Sequence, residues 1–97
     1  MIVITNVIIH GKGATKWFKR MADYFNQRQP SINARVMKPM SGNMAELMLE
    51  RTFESYDVYR KFTQEHVKDP NWKEFGKEAE ENGYSTQHEQ YIYEVVE

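Results

Sequence analysis

The chain holds no cysteine, and only three prolines and five glycines among its 97 residues. Without thiols there is no disulfide staple, no thiolate nucleophile and no cysteine-ligated zinc. An excess of one charge is missing too: 13 Lys and Arg stand against 14 Asp and Glu, for a formal net charge of −1. Nucleic-acid affinity rests largely on a basic patch, and no basic cluster is visible along the chain. Long hydrophobic runs are absent as well. The stretch IVITNVII at residues 2–9 falls far short of the ~20 apolar residues of a bilayer span. No basic segment precedes it and no small-residue cleavage site follows, so it does not read as a signal peptide. These absences lead to the expectation of a single cytoplasmic domain spanning 1–97, with neither nucleic acid nor membrane as partner. A chain of this size buries only about 60–70% of its extended-chain surface, so association with a partner would add to its stability.

What is present is a clear alternation of periods. In residues 2–10, Ile2, Ile4, Asn6 and Ile8 point one way and Val3, Thr5, Val7 and Ile9 the other. Both sets are mostly β-branched, as in a strand covered on both faces. Gly11-Lys12-Gly13 breaks this strand. Ala14, Trp17, Phe18, Met21, Ala22 and Phe25 then recur at helical spacing, with Lys16, Lys19, Arg20 and Asp23 outside the stripe. Pro30 ends the helix, because the residue before proline is pushed out of the α region.

Residues 32–38 alternate as a second strand, with Ile32, Ala34 and Val36 on one face. After the turn Pro39-Met-Ser-Gly-Asn43, residues 44–53 alternate again, with Ala45, Leu47 and Leu49 against Met44, Glu46, Met48 and Glu50. A hairpin loop of about four to six residues brings Arg35 opposite or diagonal to Glu50. Such a cross-strand pair contributes roughly 0.2–1 kcal/mol. Glu54-Ser55 opens a helix with Tyr59, Phe62, Thr63, His66 and Val67 on one stripe. Asp69-Pro70 supplies an N-cap and a first-turn proline for the next helix. That helix turns Trp72, Phe75, Gly76 and Ala79 inward, and Asn82-Gly83 closes it. Residues 87–96 form the last strand, with Tyr91, Tyr93 and Val95 sharing a face.

The order β-α-β-β-α-α-β predicts an α+β, ferredoxin-like sandwich: a four-stranded antiparallel sheet with its helices on one face. The uncovered face would carry Val3, Val7 and Ile9 with Met37, Met44 and Met48. Apolar patches of several hundred Å² mark interfaces, and two sheets packed face to face in a homodimer are the economical solution. RNA-recognition domains share this sandwich but stack bases on aromatics of the central strands. Here the strands expected at the centre, the first and third, offer Val, Ile, Leu and Met instead.

Three stretches, IVITNVIIHGKG leading into an aromatic helix, ERTFESYDVYRKF and HVKDPNWKEF, make the chain resemble the dimeric α/β-barrel superfamily. Within it, the chain is similar to the antibiotic-biosynthesis-monooxygenase-like proteins over nearly its whole length. The resemblance implies a homodimer with a cavity between sheet and helices in each subunit. Some members oxygenate polycyclic aromatic substrates without metal or cofactor, a branch binds and degrades haem, and others have no established activity. An Asn on the first strand faces the cavity in the oxygenating and haem-degrading members, and Asn6 occupies the matching point. The place of a second-helix Trp falls on Phe62. The place of the haem-ligating His falls on Trp72 or Lys73, so the expectation is a cofactor-free site with no metal, haem being left open but without a matching His ligand.

Asn6 can donate to a developing oxyanion on a phenolate or dioxygen-derived group, as preorganised donors do elsewhere. Alternatively it bonds a helix-end carbonyl or a bound water, since buried polar groups are nearly always satisfied. His66 has the chemistry of a proton acceptor, or of a half-exposed partner for the carbonyls at its helix end. These two are the candidate catalytic residues. Phe62, Trp72 and Tyr91 are the candidate walls for a small aromatic substrate, although aromatics at helical spacing also build plain cores. His10 and His88 lie at strand ends and share no metal-ligand spacing. Arg35, Glu46 and Glu50 are read as charge pairing rather than as a catalytic cluster. The function expected is cofactor-independent oxygenation of a small aromatic molecule; the alternative is a non-catalytic ligand-binding or dimerisation module.

Overall fold

A computed structural model describes residues 1–10 and 13–97, without the side chains of His10, Ser85 and Thr86; the expected break at Gly11-Lys12 lies outside the described residues. The elements are β1 (Ile2–His10), α1 (Ala14–Arg28), a 3-10 turn (Pro30–Ile32), β2 (Arg35–Met37), β3 (Glu46–Phe53), α2 (Tyr56–His66), α3 (Pro70–Asn82) and β4 (Ser85–Glu94). The strands form one antiparallel sheet in the order β2-β3-β1-β4, with β3 and β1 in the centre. This is the ferredoxin-like α+β sandwich expected from the element order.

Side-chain alternation decides which face of each strand meets the helices. Ile2, Ile4 and Ile8 of β1 and Leu47, Leu49 and Phe53 of β3 are buried against Ala14, Trp17, Phe18, Met21, Ala22 and Phe25 of α1. Each fully buried Leu, Ile or Phe contributes about 1.5–3 kcal/mol, so this layer carries most of the fold's stability. The hairpin register places Arg35 directly opposite Glu50, with their side chains 3.0 Å apart.

β2 is shorter than the pattern in residues 32–38 predicts. Ile32 is buried, but as the end of the 3-10 turn, and Asn33 takes a left-handed conformation with φ 47°. The Asn26 side chain donates to the Ala34 carbonyl at 2.9 Å and accepts from the Ala34 amide at 2.6 Å. It thus serves as the strand partner that the backbone of this segment lacks. Met44 precedes β3 and is largely exposed in the turn, so it adds nothing to the outer face of the sheet.

Capping follows the sequence closely. Ser55 accepts from the Val58 amide at 3.2 Å and Asp69 from the Asn71 amide at 2.9 Å. Gly83 closes α3 in the left-handed region, φ 64°. Gly13, φ 90°, opens α1, and a side chain there would meet the Tyr84 ring, 3.1 Å from the added carbon. Asp69 also accepts from the Tyr24 hydroxyl at 2.7 Å and from Arg28 at 2.8 Å, fastening the head of α3 to α1. A second tie is the Trp17 Nε1–H bond to the Phe75 carbonyl, 3.0 Å.

α3 has an apolar stripe but no fully buried residue. Its inward residues Trp72, Phe75 and Ala79 are only partly covered, because α3 roofs a hollow instead of lying on the sheet.

Candidate active site

Two polar residues interrupt the helix-facing side of the central strands. Ile4 pairs with Arg51 and Asn6 with Leu49, so Asn6 and Arg51 are diagonal neighbours on that side. Both are buried, with Asn6 7% and Arg51 5% exposed. Arg51 Nη2 donates to Asn6 Oδ1 at 3.0 Å. A guanidinium offers only donors, which fixes the amide with its oxygen toward Arg51. Asn6 Nδ2 then lies 2.9 Å from His88 Nε2 on β4. Since the amide nitrogen can only donate, His88 Nε2 accepts, and the imidazole carries its proton on Nδ1. Arg51, Asn6 and His88 form one polarised line across three strands, with one amide N–H of Asn6 to spare.

This line borders a cavity of about 600 Å³ between sheet and helices, within the range of roughly 300–1,000 Å³ that suits small ligands. Trp17, Phe18 and Phe25 of α1 and Trp72 and Phe75 of α3 supply aromatic walls, and Tyr59, Thr63 and His66 enter from α2. The exposed His88 and Gln90 of edge strand β4 belong to the rim. Arg51 and Lys73 are the cations among the lining residues, and no carboxylate is among them.

The Arg51 guanidinium lies over the Phe25 ring, 4.7 Å from its centroid, and within 6 Å of the Phe53 and Tyr59 rings. Among the described residues no Asp or Glu pairs with it, and its Nε makes no hydrogen bond. Burial pulls its pKa below the usual arginine value, and the neighbouring Tyr59 hydroxyl partly opposes this. Thr63 Oγ1 and His66 Nδ1 are likewise buried without a well-formed hydrogen bond. Three unmatched polar atoms beside one cavity are unusual where nearly all buried polar groups are bonded.

His66 is 3% exposed, not half-exposed as its place near a helix end predicts. The rings of Trp72, Phe62 and Phe25 surround it, with centroids at 4.4, 5.1 and 5.7 Å. Burial, reinforced by the positive charges of Arg51 and Arg28, pushes its pKa down to about 4. The imidazole is therefore neutral near pH 7.

Of the residues singled out from sequence, Asn6, His66 and Trp72 line the cavity together. Phe62 is buried against Phe25, Phe53 and His66, in the layer behind the wall. Tyr91 is elsewhere: it pairs with Thr5, on the opposite face of the sheet from Asn6, and its hydroxyl donates to Glu89. Strand parity is the reason, because Tyr91 is one residue out of step with the cavity-side Gln90. Arg51, Thr63 and His88 were not singled out. Arg51 was detectable, since it shares the parity of Leu47, Leu49 and Phe53. Thr63 was detectable in the same way, on the stripe of Tyr59, Phe62 and His66, whereas His88 carried no comparable signal.

Haem does not fit these residues. A haem iron would need an axial imidazole, but His66 is walled in by three aromatic rings and His88 Nε2 is engaged by Asn6. Among the described residues no group of three or more His, Asp or Glu is placed to hold a metal ion. No described helix is long and apolar enough to cross a membrane.

Fold and site together define a class: a ferredoxin-like α+β domain with an aromatic cavity between its sheet and helices. No protein-family model and no curated protein sequence matches the chain. Solved structures do. A candidate antibiotic biosynthesis monooxygenase from Deinococcus radiodurans superposes with a TM-score of 0.74 at 11% identity, covering 100% of this chain and 94% of that one. An uncharacterised NIPSNAP domain protein from Burkholderia xenovorans gives 0.71 at 17% identity, covering 99% and 95%. SnoaB, a cofactor-independent oxygenase from Streptomyces nogalater, gives 0.68 at 10% identity, covering 99% and 93%. The chain thus has the fold of the monooxygenase-like proteins that its sequence resembles.

Proposed function

We propose that this protein is a cofactor-independent monooxygenase that acts on a small aromatic molecule in the cavity between sheet and helices. The observation that carries this reading is the polar line Arg51–Asn6–His88 in an otherwise aromatic cavity. An electron-rich arene whose CH2 is acidified by a neighbouring carbonyl fits such a site. Loss of a proton leaves an enolate, whose oxygen the spare Asn6 N–H and the Arg51 charge stabilise. The enolate itself reduces dioxygen. One oxygen atom replaces the two hydrogens as a new carbonyl, and the other leaves as water. Neutral His66, a cavity residue with an ill-bonded Nδ1, is the proton acceptor in this scheme, and Trp72 forms part of the wall.

A second reading uses the same cavity for binding without turnover. It is favoured by His66 itself, since an imidazole with a pKa of about 4 is a weak base. Anthrone separates the two. Oxygen uptake with anthraquinone formation, lost in Asn6→Ala, supports the oxygenase. Quenching of Trp17 and Trp72 fluorescence with no oxygen uptake supports the binding module.

The proposal includes a homodimer joined through the outer face of the sheet. Val3, Val7, Ile9, Met37 and Met48 are only partly covered there, beside Tyr91 and Tyr93 at 45% and 55% exposure. A second copy is the partner that would cover this surface with matching apolar groups.

A further inference from the structure

We infer that the cavity selects an anion: an aromatic molecule carrying one ionised oxygen group, carboxylate or acidic enol, seated at the Arg51 guanidinium. The inference rests on the proposed use of the cavity and adds the charge class of its ligand.

Arg51 is 95% covered, and a buried cation is ordinarily matched by a carboxylate. Here its hydrogen-bond acceptor is the neutral amide oxygen of Asn6, at 3.0 Å. The other neighbours of the guanidinium are the Tyr59 hydroxyl and the faces of Phe25, Phe53 and Tyr59. Aromatic faces attract a cation but do not neutralise it. Asp69, at the head of α3, does not line the cavity and is already engaged by Tyr24, Arg28 and the Asn71 amide. Lys73 adds a second positive charge to the cavity lining, and no acidic residue offsets either.

The other groups facing this charge cannot supply the missing negative one. His66 is neutral near pH 7, held so partly by Arg51 itself. Thr63 offers an unpaired hydroxyl, which can donate to an anion as readily as it accepts. Hence the site is a built cation in a low-dielectric aromatic enclosure, where Coulomb attraction is much stronger than in water. An arene with an anionic oxygen meets both halves of it: flat rings against Trp17, Trp72 and Phe75, and charge against Arg51.

The test uses Trp fluorescence quenching of the full chain with three probes of similar size: naphthoate, neutral naphthamide, and an acidic nitronaphthol ionised at neutral pH. Naphthoate or the ionised nitronaphthol should bind wild type about 10–100-fold more tightly than naphthamide. Whichever of the two anions binds better identifies the source of the charge. Arg51→Met should erase the preference, bringing the ratio of acid to amide affinity to about one, and Arg51→Lys should restore part of it. Equal affinity for acid and amide in wild type would overturn the inference and leave the cavity's use intact, without relying on any variant that might not fold. A preference that survives in folded Arg51→Met would overturn the assignment to Arg51. Absence of binding by all three probes would remove the small-aromatic reading and this inference together.

Discussion

Arg51 reaches diagonally across the two central strands to hold Asn6 by its amide oxygen, 3.0 Å from Nη2. The contact orients the amide, hands its N–H groups to His88 and the cavity, and leaves the guanidinium charge uncompensated. On the proposed anion binding, such a site trades stability for function, because the buried cation would be cheaper to keep with an acid beside it. The consequences are measurable.

Substituting Asn6→Asp puts a carboxylate where the amide oxygen meets Arg51. His88, now facing an acceptor, turns from acceptor to donor. The unliganded protein should gain about 1–2 kcal/mol in urea unfolding, while oxygenase activity and anion binding are lost. Asn6→Leu should instead cost about 1–3 kcal/mol, since it strips Arg51 of its acceptor. If both variants destabilise equally, the guanidinium is not short of a counter-charge.

His66 makes stability depend on acid. Unfolded, its imidazole takes up a proton below about pH 6.5; folded, it does so only near pH 4. The unfolded state therefore binds more protons between these values, and stability falls as pH drops from 6.5 to 4, then levels off. The loss is roughly 3 kcal/mol at most. Asp69 contributes in a more acid window, because its bonds to Tyr24 and the Asn71 amide hold its pKa below the usual value. Urea titrations of wild type and His66→Phe across pH 4–7 should diverge only below 6.5, with the variant flatter. Parallel curves would show that His66 is protonated equally in both states.

Gly76 lies within α3 on the cavity wall, and a Cβ there meets nothing within 4 Å. Gly76→Ala should stabilise the protein by about 0.5–1 kcal/mol, through helix propensity alone. Gly76→Phe should fill part of the hollow, keep the fold and weaken aromatic ligands at least tenfold in fluorescence titration. Unchanged affinity in Gly76→Phe would place the ligand elsewhere.

On the outer face, Val7 lies between Met48 of β3 and Glu89 of β4. Val7→Lys gives each subunit a charge that Glu89 can pair within the same sheet, so the monomer stays folded. Light scattering at micromolar concentration should show a dimer for wild type and a monomer for the variant. A wild-type monomer would remove the interface.

Much of this architecture could be read in advance, because it depends on local periodicities. The α1 stripe from Ala14 to Phe25, the alternation of Leu47, Leu49 and Phe53, and the Asp69-Pro70 and Gly83 caps are each set by neighbours a few residues apart. Arg35 opposite Glu50 is one of the two arrangements that parity allows, although the connection over residues 38–45 is longer than the four to six residues expected. The boundary of β2 could not be read in this way, since Asn26 supplies its side-chain bonds to Ala34 from another element. Alternation assigns Met44 to the outer face, because the pattern does not mark the turn in which it lies.

The site divides along the same line. Parity sets Asn6 with Ile2, Ile4 and Ile8 toward the helices and Arg51 with Leu47, Leu49 and Phe53, whereas the side that Tyr91 takes is decided only by the register of β4 against β1. Burial of His66, the orphaned Thr63 hydroxyl and the meeting of His88 with Asn6 came only from tertiary structure. His88 is 82 residues from Asn6 along the chain, and only the β1–β4 pairing makes them neighbours. Sequence periodicity determines which side of an element a residue faces. What it meets there depends on how the elements pack, and the packing leaves a hollow under α3 with a cation at its floor.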